Sequence, residues 1–167
     1  MKGSFMYDSR AVANTVLECA ENRGLKITNL SLQKIMYFCH GWHMVVFGSP
    51  LIRQEFEAWQ YGPVLQNLYR EFKGFERKAI DGRCTQIDLE TGARKVVEPV
   101  RKSEVYNLID SCVCFYGALR PGTLVEMSHD PAGPWHDSWN YEGEVNPGMR
   151  MPNERIHEYF MQVTRPF

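Results

Sequence analysis

The chain has 167 residues, enough for one globular domain around a single hydrophobic core. Hydrophobic residues make up 44% and charged residues 23%, and the 13 Gly and nine Pro follow no period, which excludes a disordered or fibrous chain. Nineteen Lys+Arg against 20 Asp+Glu leave a net charge of -1, with basic residues only in pairs such as Arg77-Lys78, Arg94-Lys95 and Arg101-Lys102, so nucleic acid is not an expected partner.

In chain order, residues 1–8 lack the apolar core of a signal peptide, and no apolar run reaches the length of a membrane span. A short amphipathic helix is expected from Ser9 to Arg23, with Val12, Val16, Leu17 and Ala20 on one face and Gly24 as its stop. Thr28-Asn29 caps a second helix that ends before Gly48. Its broad apolar stripe includes Leu32, Ile35, Met36, Cys39, Trp42, His43, Val46 and Phe47, while Lys34 and Gly41 point the other way. That breadth marks it as the central helix.

Between Pro50 and Trp59 the period changes to two, as in a half-buried strand, and Tyr61-Gly62-Pro63-Val64 then turns the chain into a helix running from Pro63 to Phe72. Residues 74–100 form a polar insert with a weak hairpin around Glu90-Thr91-Gly92. Ser103 opens a helix ending at Gly117, and Thr123 with Glu126 forms a capping box for a short helix from Leu124 to His129. Trp135 to Trp139 adds a turn, Tyr141 to Pro152 is a loop, and Asn153 caps a last helix over about 153–163. The expected fold is mainly α (α+β): one domain over 1–167 with five to six helices and a small two- or three-stranded antiparallel sheet.

Five Cys (Cys19, Cys39, Cys84, Cys112 and Cys114), odd in number and without C-x-x-C, point to a reduced, cytoplasmic chain. The nine Phe, eight Tyr and four Trp divide by position. Phe38, Trp42, Phe47 and Phe56 are expected in the core, whereas Trp59, Tyr61, Trp135, Trp139 and Tyr141 gather at corners and loops where a partner could bind.

Three constellations could carry chemistry. His40 and His43, spaced i, i+3, could share a metal, but two ligands leave a zinc site incomplete and a buried structural imidazole is the commoner case. Ser128 to Asp137 gathers His129, Asp130, His136 and Asp137 around Trp135, yet without a metal-ligand or nucleophile spacing. A metal-dependent or acid/base enzyme built on His40, His43, His129 or His136 stays open as the alternative. The third set, Glu57 to Val64, places two large aromatics at a strand-to-helix corner, as core filling or as a partner anchor. Catalytic, cofactor and metal residues are otherwise not expected.

Ala11-Val12-Ala13, Thr28 to Tyr37, Gly41-Trp42, Gly48 to Leu51, Glu57 to Val64, Ser128-His129 and Pro134-Trp135 occur in an order that resembles the Panacea domain antitoxins, the SocA-like or phage-associated proteins. The resemblance covers about residues 6–140 and omits the insert at 74–100. It implies a mainly helical protein, of a kind often carried on prophages, that neutralises a cognate toxin by direct binding. It further implies that some members act as proteolytic adaptors to a AAA+ protease of the ClpXP type. Candidate contact residues are Trp59, Tyr61, Gly62 and Pro63 at the corner, Lys34 and Tyr37 on the second helix, and His129 and Trp135. The remaining alternative is a regulatory or structural phage protein whose partner is not a toxin.

Overall fold

The computed structural model describes residues 5–140 and 147–167; of the loop expected over Tyr141 to Pro152, residues 141–146, Tyr141 among them, lie outside these. Among the described residues, seven α-helices and two separate antiparallel hairpins make a mainly α fold with little sheet, in the expected class. None of the described helices is long and apolar enough to cross a membrane.

Helix α1 (Ser9–Asn22) starts at Asp8, whose carboxylate accepts from the backbone N–H of Arg10 at 2.9 Å. Burial alone would raise the Asp8 pKa, but hydrogen bonds from Arg10 and Gln54 hold it well below the ordinary carboxylate value. Helix α2 (Asn29–Phe47) is capped by Thr28 and stopped by Gly48, which takes the left-handed conformation at φ 70°. Around it pack α1, α4 (Ser103–Tyr116), α5 (Pro121–Ser128) and α7 (Asn153–Gln162). Fifteen α2 residues from Asn29 to Met44 are buried, on every side of the helix. Lys34 and Gly41, expected on an outward face, are therefore inside, whereas Phe47 near the end is 37% exposed.

The remaining elements are β1 (Glu57–Trp59), β2 (Gly62–Val64), α3 (Gln66–Phe72), β3 (Thr85–Ile87), β4 (Arg94–Val96) and α6 (Pro134–Trp139). The strand expected from Pro50 contracts to β1, since Ile52 makes only an isolated bridge to Tyr7. Pro63 does not open a helix. It pairs with Ala58 in β2, beside the turn-closing pair Trp59–Gly62, where an antiparallel ladder asks for no N–H from it. Likewise Thr123 lies inside α5, because Pro121 supplies a preset φ at the helix start. Asn153 is the first residue of α7 after the cap Pro152, which frees its side chain to meet His40.

The insert folds back on α1 through two polar side chains. Asn14 donates to the carbonyls of Cys84 and Val97 at 3.0 and 2.8 Å and accepts from the Cys84 N–H at 2.7 Å. Thr15 accepts from the Val100 N–H at 2.8 Å. Asn14 is fully buried, so Asn14→Leu strands three backbone groups. The expected loss is about 2–4 kcal/mol in urea unfolding, with faster amide exchange across β3 and β4.

Candidate functional site

The corner at Glu57–Val64 becomes a hairpin laid across α2. Its two-residue loop, Gln60-Tyr61, leads into Gly62 at φ 105°, a conformation that favours glycine. A Cβ on Gly62 would stand 2.5 Å from the Ser128 hydroxyl and 2.7 Å from Lys34 Cε, so the hairpin sits this low only because the side chain is missing. Pro63 offers its carbonyl to Lys34 Nζ at 2.9 Å.

A buried polar ladder along α2 fixes the chain after the hairpin. Asn29 donates to the Tyr69 carbonyl at 3.2 Å, Gln33 donates to Asn29 at 3.0 Å, and the Leu65 N–H donates to Gln33 at 2.9 Å. Together with Lys34, these side chains hold β2 and α3 against the helix. Their spacing at positions 29, 33 and 34 on an otherwise apolar helix was a readable signal, although Asn29 and Gln33 were not expected as site residues.

Electrostatically the floor is unusual. Lys34 has no exposed surface, and burial pulls its amine down to about 7 from the ordinary 10.5. His129 lies close enough for burial and the Lys34 charge to lower its pKa as well. The His129 ring stacks on Trp135 at 3.7 Å, and its Nε2 is a buried atom without a hydrogen-bond partner. Trp135 in turn donates its indole N–H to the Trp59 carbonyl at 2.8 Å. Thus α6 and the end of α5 also brace the hairpin.

On the α3 side the hairpin overhangs a groove of about 640 Å³ walled by Leu30, Trp59, Tyr61, Val64 and Tyr69, with Lys73, Arg77 and Lys78 at its edge. Trp59 meets Tyr69 edge-on at 5.0 Å and is oriented by its indole N–H donating to Glu57 at 2.7 Å. Tyr61, at 60% exposure, stands free at the tip.

Seven expected contact residues therefore gather here: Lys34, Trp59, Tyr61, Gly62, Pro63, His129 and Trp135. They differ in access. Tyr61 is exposed and Trp59 and His129 half-buried, whereas Lys34, Gly62, Pro63 and Trp135 lie underneath. Tyr37 is elsewhere, 1% exposed among Phe38, Phe56 and Phe160, so it has no surface to offer a partner. Trp135, at 6% exposure, is likewise a support for the hairpin rather than a surface ring, while Trp139 is 42% exposed.

The histidine pair has structural partners. The Ile52 N–H donates to His40 Nδ1 at 3.2 Å, which assigns the proton to Nε2 and makes that nitrogen the donor to Asn153 at 2.8 Å. Burial lowers the His40 pKa to about 4, keeping the ring neutral. His43 Nδ1 bonds the Ser49 carbonyl at 2.7 Å, and His136 sits half-exposed on α6. Among the described residues no three His, Cys, Asp or Glu side chains group closely enough to hold a metal ion.

Two comparisons with known proteins find a match to this chain. The model of the family described as "Antitoxin SocA-like, Panacea domain" matches residues 32–136, from α2 through the hairpin to α6. The protein Antitoxin SocA of Caulobacter vibrioides (strain NA1000 / CB15N) is 36% identical over 154 residues, covering 92% of this chain and 82% of that protein. No solved structure matches the chain.

Proposed function

Because the chain belongs to the antitoxin SocA-like, Panacea domain family, we propose that it neutralises a cognate protein toxin by direct contact through the hairpin face. The antitoxin-type role comes with the family. The observation that supports the surface is the open groove beside Tyr61, whose ring stands 60% exposed at the hairpin tip next to the Trp59–Tyr69 pair. Large, rigid aromatics at the edge of a concavity are what protein contacts use as anchors. The buried polar ladder and the low Gly62 give those anchors a fixed position, which limits the entropy lost on binding.

Neutralisation by occlusion needs nothing further. A proteolytic adaptor, handing its bound toxin to a AAA+ protease such as ClpXP, would use the same first contact. The test is co-expression with the product of the reading frame next to this chain's gene. Growth should be rescued and the two proteins should co-purify; rescue lost in a protease-deficient host indicates delivery, and rescue kept there indicates occlusion. Tyr61→Ala should weaken the complex about tenfold or more while leaving thermal unfolding unchanged, because Tyr61 is exposed. No rescue and no complex with the intact chain would remove the reading.

A further inference from the structure

The groove continues past Tyr61. A second cavity of about 420 Å³ lies against Thr28 and Pro121 and shares Leu30, Tyr61, Glu76 and Arg77 with the larger one. Together they make a channel long enough for several residues of extended chain. Its lining combines apolar walls with Lys34 under the floor and Lys73, Arg77 and Lys78 at the edge, against the single acid Glu76. Three exposed cations, Lys73, Arg77 and Lys78, to one anion are a local excess in a chain whose net charge is -1.

Among the described residues Lys73, Arg77 and Lys78 form no ion pair, so their charge is not compensated from within. Backbone strain falls at the same edge. Glu76 has φ 53° and ψ -116°, a conformation that costs a non-glycine residue about 1–3 kcal/mol. Such a bend suits a segment shaped for contact rather than for stability.

We infer that this channel takes an acidic segment of the partner protein, in which an aspartate or glutamate adjoins an aromatic or aliphatic side chain. The apolar side chain enters between Trp59, Tyr61 and Tyr69, and the carboxylates meet Lys73, Arg77 and Lys78. Charge complementarity selects the acidic character, and the apolar walls exclude a purely polyanionic ligand. The inference rests on the reading that this chain binds a protein toxin.

The experiment titrates the full chain with the adjacent-frame product by calorimetry at about 50 mM and about 300 mM salt. A triple variant, Lys73→Glu/Arg77→Glu/Lys78→Glu, is compared with a charge-matched control at exposed cations elsewhere, Lys26→Glu/Arg101→Glu/Lys102→Glu. The intact chain should bind more weakly at high salt. The groove variant should lose about 100-fold at low salt together with most of the salt dependence, whereas the control keeps its affinity. Equal losses in both variants, or no loss in the groove variant, would overturn the channel while leaving the toxin-binding reading standing. An intact chain that forms no complex would overturn both.

Discussion

Lys34→Met should make the protein more stable at neutral pH, and the gain should vanish in alkali. In the unfolded chain the amine titrates at its ordinary 10.5; in the fold burial brings it down to about 7. Between those values the unfolded state holds a proton that the folded state has released, so the lysine's contribution to stability rises with pH across that window. Below pH 7 its full cost applies, on the order of a few kcal/mol, because one carbonyl hydrogen bond does not replace the water lost by a buried ammonium. Methionine keeps the aliphatic volume and removes the charge, leaving only the Pro63 carbonyl unpaired at about 1 kcal/mol.

Urea unfolding at pH 6, 8 and 10 checks this as a difference between the two proteins. Taking the difference cancels the buried thiols Cys19 and Cys84, whose raised pKa values act in the opposite direction at high pH. His129, the other titrating neighbour, has its pKa lowered and so changes charge below the window. A variant advantage of a few kcal/mol at pH 6 should shrink toward zero or reverse by pH 10. A variant less stable at pH 6 would mean that Lys34 is not held as a costly buried base.

The fate of Lys34 shows what a sequence of this kind reveals and conceals. Apolar periodicity identified α2 as central, and caps at Asp8, Thr28 and Gly48 are local chemistry, so helices bounded by such residues are readable. A helical wheel, however, separates apolar from polar and not inside from outside. On a helix packed all round, polar residues meet other backbone segments: Asn29, Gln33 and Lys34 serve Tyr69, Leu65 and Pro63, about 30 to 40 positions away. Nothing local announces such partners. The groove was hidden for the same reason, because its walls come from α2, the hairpin and α3 together. The corner aromatics were legible as a cluster, but only the fold divides free Tyr61 from supporting Trp135. Pro63 is ambiguous in the sequence because its fixed φ suits a helix start and a strand alike.

Gly41 carries that argument to a change whose sign the sequence gets wrong. Read as an outward position in mid-helix, Gly41→Ala should stabilise α2 by about 1 kcal/mol through helix propensity. In the fold an added Cβ would stand 2.3 to 2.5 Å from three ring carbons of Phe160. That ring is 1% exposed and meets Tyr37 edge-on at 5.3 Å and Trp42 at 4.9 Å, so turning it away from the methyl breaks both contacts. Helix α7 must then back away from α2. Retreat also stretches the His40–Asn153 hydrogen bond at the start of α7 and opens the packing around Trp42, whose indole donates to Tyr116 at 2.8 Å. Overpacking of this severity outweighs the propensity gain, and a net loss of about 2 kcal/mol or more is expected in urea unfolding, with earlier proteolytic release of α7. Phe160→Leu alone should cost about 1–2 kcal/mol, yet placed on Gly41→Ala it should recover stability, because the smaller side chain makes room for the methyl. Strictly additive losses would mean that the two residues do not compete for one space, and that α7 docks on α2 by some other contact.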